Sequence, residues 1–264
     1  MNNILSKLSR GKNQLYGKYI IPRIEREYLC RNDSEIIHYL FYKKKSPALI
    51  IGFQAYNIKG ARYNYVTPLS SVNANRLYIK DDFVLPCGNY YLGRNNQFNI
   101  EKGVFDLIDQ VVEETKASDL FFIGSSKGGY AALNFGLKYP NATIVIASPQ
   151  YYLGSYMDET KKFTKGLEDI VSLPVTEDKL KKLDARLETR IKNDPYGKTQ
   201  RVFIQSSVCE NGYEKHVKFL LRDLEAAGIT VSFEKQTFQN HSDLKYYFPE
   251  YLKKTLMDQV GKCQ

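Results

Sequence analysis

The sequence predicts an α/β protein built on a mostly parallel central sheet with helices on both faces and a small cap insertion. Three observations carry that prediction. From Ile36 onward, short apolar runs alternate with amphipathic helical stretches, the rhythm of parallel strands joined by crossover helices. One apolar run, 119–123, stops abruptly at Gly124-Ser-Ser126-Lys-Gly128, and helix-forming residues follow at once. Between Gln150 and Lys198 the alternation breaks.

Taken in order, residues 1–33 read as a basic, partly amphipathic arm carrying Lys7, Arg10, Lys12, Lys18, Arg23 and Arg26. Residues 36–42 form the first strand. Residues 48–53, Ala-Leu-Ile-Ile-Gly-Phe, are apolar throughout and predict a central strand buried on both faces. Residues 76–80 form another strand. In 100–116, Val104, Phe105, Leu107, Ile108, Val111 and Val112 recur at helical spacing. Strand 120–123 leads into helix 130–139. Residues 142–147 and 201–205 are further strands. Helix 214–227, strand 229–233 and helix 247–260 complete the chain. Segment 150–198 contains a charged helix at 177–192. It reads as a cap or lid on the same single domain, 1–264, with an enlarged crossover as the competing reading.

Composition narrows the class. A chain of 264 residues, 43% hydrophobic and 25% charged, is globular and large enough for a core without disulfides. Cys30, Cys87, Cys209 and Cys263 are scattered, without a CxxC pair or a histidine at ligand spacing, so free thiols are expected and no metal site. No apolar run reaches membrane-spanning length. The first ten residues lack the apolar segment and cleavage site of a signal peptide, so a cytoplasmic protein is expected. The net charge of +9 draws anionic partners such as nucleic acid, acidic lipid, a phosphate-bearing cofactor or a polyanionic polymer.

The chemistry centres on Ser126. A Gly-x-Ser-x-Gly spacing between a strand and a helix is a nucleophile elbow, a strained turn that lifts the serine hydroxyl above the sheet. Gly124 and Gly128 stand where backbones pass too close for a Cβ. A serine needs a base. Of the three histidines, His38 lies inside a strand and His216 inside an amphipathic helix. His241 follows the last strand, where an imidazole overhangs the carboxyl edge of the sheet. The acid should follow strand 201–205. Glu210 is the first carboxylate there, with Glu214 and Asp243 as alternatives. The backbone N–H of Lys127 is one expected oxyanion donor, and Gln54 or Phe53 after the central strand the other. The loop 86–97 offers Tyr90, Tyr91 and Arg94 as a substrate wall. The Lys127 side chain is either an anion ligand or a surface lysine at the start of a helix.

Together these residues resemble the α/β-hydrolase superfamily, in which nucleophile, acid and base follow in the order Ser126, Glu210, His241. More narrowly, Gly124-Ser-Ser-Lys-Gly-Gly129 with Tyr90-Tyr-Leu-Gly93 upstream is similar to bacterial capsular polysaccharide O-acetyltransferases of the meningococcal serogroup A type and to accessory-Sec glycan acetyltransferases. That resemblance implies a bacterial source and acetyl-CoA as donor substrate, with no bound cofactor. It implies an acetyl-Ser126 intermediate and an anionic polysaccharide acceptor, with capsule-assembly proteins at the inner face of the membrane as partners and no nucleic acid. The residues themselves reach only acyl transfer through a serine. An esterase or deacetylase with the same triad, and a non-catalytic glycan-binding or assembly protein, are the alternatives.

Overall fold

The computed structural model describes residues 20–30, 35–193 and 199–261. Residues 1–19 and 31–33 of the expected arm, and 194–198 of the expected cap, lie outside them. Eight strands form one sheet: β1 Arg26–Leu29, β2 Ile36–Tyr42, β3 Ala48–Phe53, β4 Asn75–Ile79, β5 Asp119–Ser125, β6 Thr143–Ala147, β7 Arg201–Ser207 and β8 Thr230–Gln236. Their order is β1-β2-β4-β3-β5-β6-β7-β8. Strands β3 to β8 run parallel to one another, and β2 is antiparallel to both β1 and β4. The helices are α1 Ile21–Ile24, α2 Asn99–Thr115, α3 Lys127–Gly136, α4 Leu153–Glu159, α5 Thr164–Val171, α6 Glu177–Lys192, α7 Lys218–Ala226 and α8 Leu244–Val260.

Period-two alternation along the central strands sorts side chains to two cores. Leu49, Ile51, Phe53, Phe122, Ile144, Ile146 and Ile204 face one side, where Val104, Leu107 and Ile108 of α2 and Leu133 and Phe135 of α3 cover them. Ile50, Phe121, Ile123 and Val145 face the other, against Phe248, Leu252 and Leu256 of α8. Each large apolar side chain so buried stabilises the fold by about 1.5–3 kcal/mol. Helix α6 joins the first core through Leu183, Leu187 and Ile191, one residue per turn on a single face.

Polar contacts also tie α6 to the body. The carboxylate of Glu101 in α2 receives both Arg186 bonds at 2.8 Å and an Asn134 bond at 2.6 Å, with Arg190 at 3.2 Å. Burial pulls the Glu101 carboxyl upward, but the two guanidiniums and Asn134 outweigh it and hold the group below its ordinary value.

Strand β1 occupies part of the segment expected as an arm. It pairs with β2, Arg26 opposite Tyr39 and Leu29 opposite Ile36. Its residues are exposed or half-buried, as an edge strand permits, so no apolar alternation announced it. The parallel registers Gly52 with Ile123, Ser125 with Ala147, and Ala147 with Gln205 bring the C-terminal ends of β3, β5, β6 and β7 to one edge. The candidate site is built on that edge.

Candidate active site

Ser126 separates β5 from α3 with φ 52° and ψ −120°, a conformation that L residues rarely adopt and that needs its surroundings to hold it. Two glycines permit it. A Cβ on Gly124 would run into the carbonyl of Gly128, and one on Gly128 would lie 2.6 Å from the Phe53 carbonyl oxygen. The turn is fastened by backbone bonds: Ser126 N–H donates to Ala147 O at 2.8 Å, and Gly129 and Tyr130 N–H donate to Ser126 O at 2.9 and 3.0 Å. The N–H of Lys127 heads α3, where no carbonyl of the same helix lies in reach. The neighbouring Ser125 is 5% exposed; its hydroxyl is engaged by Tyr65 at 2.6 Å.

His241 opens a short 3-10 turn, His241–Asp243, beyond the loop 237–240 that follows β8. Its Nδ1 lies 2.7 Å from Glu210 Oε2. Glu210 sits in the loop after β7, 3% exposed. Its other oxygen accepts from the hydroxyls of Ser148 and Ser206. Burial pulls the Glu210 carboxyl upward, and the bonds from His241, Ser148 and Ser206 more than offset it, holding it below its ordinary value. An ionised Glu210 orients the ring so that Nε2 is the free nitrogen, and it stabilises an imidazolium. Of the alternative acids, Glu214 pairs with Lys218 at 3.0 Å.

Ser126 and His241 line one cavity of about 1280 Å³ with Tyr56, Asn64, Tyr65, Tyr156 and Lys162. Tyr156 comes from α4, and Lys162 from the turn that follows it, so the 150–198 segment forms part of this wall. The cavity is cationic. Lys59, Arg62, Lys162 and Lys245 line it without a carboxylate partner among the described residues, while Lys80 pairs with Glu25. The Lys162 ammonium rests 4.6 Å from the centre of the Tyr56 ring, and burial lowers its pKa.

The other histidines lie elsewhere. His38 Nδ1 is 3.0 Å from Asp82. His216 is 7% exposed, and its Nδ1 accepts from Tyr151 and Tyr152 N–H at 3.3 and 3.4 Å. Burial, aided by the Lys215 charge, lowers its pKa to about 4.

The structure corrects several sequence expectations. Lys127 does not reach the ligand space. Its side chain is fully buried, with Nζ bonded to Asp81 Oδ2 at 2.9 Å and to Cys87 O at 3.2 Å. Tyr90 and Tyr91 are also fully buried. Both have φ 59°, and neither lines the cavity. The Tyr91 hydroxyl accepts the Gln54 N–H at 2.8 Å and donates to Ile79 O at 3.0 Å. Gln54 N–H is therefore already engaged, and Phe53 lies within the ladder opposite Ile79. Arg94 is held at the back of its loop, its Nε 3.2 Å from Glu35 and 3.4 Å from Asp169. Sequence reasoning missed Gln150, whose Nε2 donates to Ser126 Oγ at 3.1 Å. No motif marks it; the only signal was its place just past the strand beside the elbow.

The topology and the elbow define an α/β-hydrolase fold, and solved structures agree. The chain superposes with TM-score 0.69 on the capsule O-acetyltransferase of Neisseria meningitidis serogroup A, in a histidine-to-alanine variant in complex with CoA, at 21% identity over 88% of this chain and 94% of that one. It superposes with TM-score 0.62 on a fluorophosphonate-binding serine hydrolase of Staphylococcus aureus, substrate bound, at 15% identity over 90% of this chain and 97% of that one. Among curated proteins, an accessory Sec system protein of Staphylococcus aureus is 26% identical over 174 residues, 63% of this chain. The chain spans 31% of that relative's length. No protein-family model matches the chain. Among the described residues, no helix is long and apolar enough to cross a membrane.

Proposed function

We propose that the chain is a serine-dependent acyltransferase that O-acetylates a bacterial capsular or surface polysaccharide from acetyl-CoA. The observation that supports this best is the strained Ser126 at the head of α3, on the same cavity as an imidazole whose far nitrogen is bonded to a buried carboxylate. In this reading His241 takes the Ser126 proton as Oγ attacks the thioester carbonyl. The carbonyl pair moves to oxygen, and its return expels CoA, which leaves with the proton. A sugar hydroxyl then attacks acetyl-Ser126, with His241 accepting its proton and returning it to Oγ. Glu210 stabilises the imidazolium in both halves.

The cations Lys59, Arg62, Lys162 and Lys245 around the cavity suit the phosphates of CoA and an anionic acceptor. The CoA complex of the meningococcal structure supports the donor. The accessory Sec relative supports an export setting, with export or capsule-assembly proteins as partners. A cytoplasmic site at the inner face of the membrane fits that setting.

The second reading, hydrolysis of an acyl ester, is favoured by the likeness to a serine hydrolase. Incubation with acetyl-CoA, with and without capsular oligosaccharide, separates the two. CoA release that depends on the glycan, with acetyl appearing on it, supports transfer. Equal release without it supports hydrolysis. No release in either case, with the oligosaccharide retained on the protein, favours a binding protein.

A further inference from the structure

We infer that Gln150 supplies the second oxyanion donor of this site through its side-chain amide, in place of a backbone N–H after β3. The inference rests on the serine-dependent reading above. The first two backbone donors after β3 are engaged: Gln54 N–H by the Tyr91 hydroxyl at 2.8 Å and Ala55 N–H by Asn64 Oδ1 at 2.9 Å. Phe53 lies within the ladder. The Gln54 side-chain amide is also committed, donating to Asp81 O at 3.0 Å. An oxyanion formed on Ser126 thus finds Lys127 N–H on one side and needs a partner on the other.

Gln150 is placed to be that partner. Its Nε2 lies 3.1 Å from Ser126 Oγ, and the residue is 3% exposed. It follows Pro149 just beyond β6, whose last residue, Ala147, holds the Ser126 N–H. The buried Tyr90 hydroxyl faces Gln150 Oε1 at 3.5 Å. Burial raises the Tyr90 pKa well above its ordinary value, so the phenol keeps its proton and donates. In this arrangement the amide oxygen faces Tyr90 and the nitrogen faces the serine. The pair Tyr90-Gln150 thereby gives a role to an aromatic that does not itself reach the cavity.

The reaction uses the amide as follows. When Oγ bonds to the acyl carbon, its proton goes to His241 and the carbonyl π pair moves to the acyl oxygen. Oγ has then given up its hydroxyl and is a weaker acceptor. The Nε2–H it held is released to the adjoining oxygen, which now carries the charge. When the pair returns and the leaving group departs with the His241 proton, the donor stays with the acyl carbonyl oxygen, and it returns to Oγ once deacylation restores the hydroxyl. The interaction with the acyl oxygen strengthens as charge develops, which is the condition for acting on kcat.

The test compares the parent protein with Gln150→Met and Gln150→Glu, two variants of similar volume without the donor. p-Nitrophenyl acetate is the acyl substrate, and trifluoroacetone, which adds reversibly to a reactive serine, is the oxyanion mimic. The inference expects kcat to fall about 10²–10³-fold with KM within about threefold, and trifluoroacetone binding to weaken in parallel. Thermal melting of each variant controls for folding, and the isosteric Glu variant serves if the Met variant melts early. Unchanged kcat in both variants, or a loss confined to KM, overturns the inference and leaves the serine reading standing. Absence of Ser126-dependent turnover in the parent overturns both.

Discussion

His216 makes a prediction that the structure quantifies. Its ring is buried beside Lys215, and Nδ1 is an acceptor for two backbone N–H groups. Protonating Nδ1 would set three N–H groups against one another. The folded-state pKa is about 4, against 6.5 for the free side chain. Between those values the unfolded chain binds a proton that the folded chain does not, so stability rises with pH there. The contribution is complete above about pH 6.5 and is lost as pH falls toward about 4. The difference corresponds to about 3 kcal/mol in all, of which about 2 kcal/mol disappears between about pH 7.5 and 5. Urea unfolding at those two pH values measures it. In His216→Gln, whose amide oxygen accepts the same bonds without titrating, that loss should shrink by about 2 kcal/mol. Ester turnover at neutral pH should persist, because His216 lies outside the serine's cavity. An identical pH dependence in parent and variant would refute the reasoning, as would loss of turnover.

Other consequences follow from the same geometry. Glu210→Gln keeps the bond to His241 but removes the carboxylate, and steady-state turnover should fall by about 10⁴-fold with melting changed far less. Gly124→Ala drives a Cβ into the Gly128 carbonyl, so soluble yield and melting temperature should drop sharply; a well-folded, active variant would contradict the close approach. Lys127→Met leaves Asp81 buried without its counter-charge, at a cost of about 3–5 kcal/mol in chemical denaturation, and adding Asp81→Leu should recover much of it. Charge-reversal of Lys162 to Glu should raise the KM for acetyl-CoA and weaken its salt dependence, with p-nitrophenyl acetate turnover little changed.

The sheet was largely legible because its central strands are apolar on both faces, as in Ala48–Phe53 and Thr143–Ala147. The elbow was legible because its glycines are a local steric demand. Glu210 was nominated by chain order alone, since strand succession sets which loops meet at the carboxyl edge, and it lies 2.7 Å from His241. What escaped depended on contacts remote in sequence. Lys127 reads as a surface lysine until Asp81, 46 residues away, is brought against it. Tyr90 and Tyr91 sit in a polar, glycine-bearing loop that reads as an open wall, yet both side chains are fully buried. Gln54 has the expected position after β3, but the Tyr91 hydroxyl occupies its N–H. Gln150 has no motif because its placement comes from the register of β6 beside β5. Edge strand β1 is charged and exposed, so no periodicity marked it.

The most direct test is peptide mapping by mass spectrometry after brief mixing with acetyl-CoA and acid quench. A single acetyl group on the hydroxyl of Ser126, chased by added oligosaccharide and absent from Ser126→Ala, is the expected result. Acetyl transfer that survives in Ser126→Ala, or an acetyl group carried on another side chain, would contradict the account.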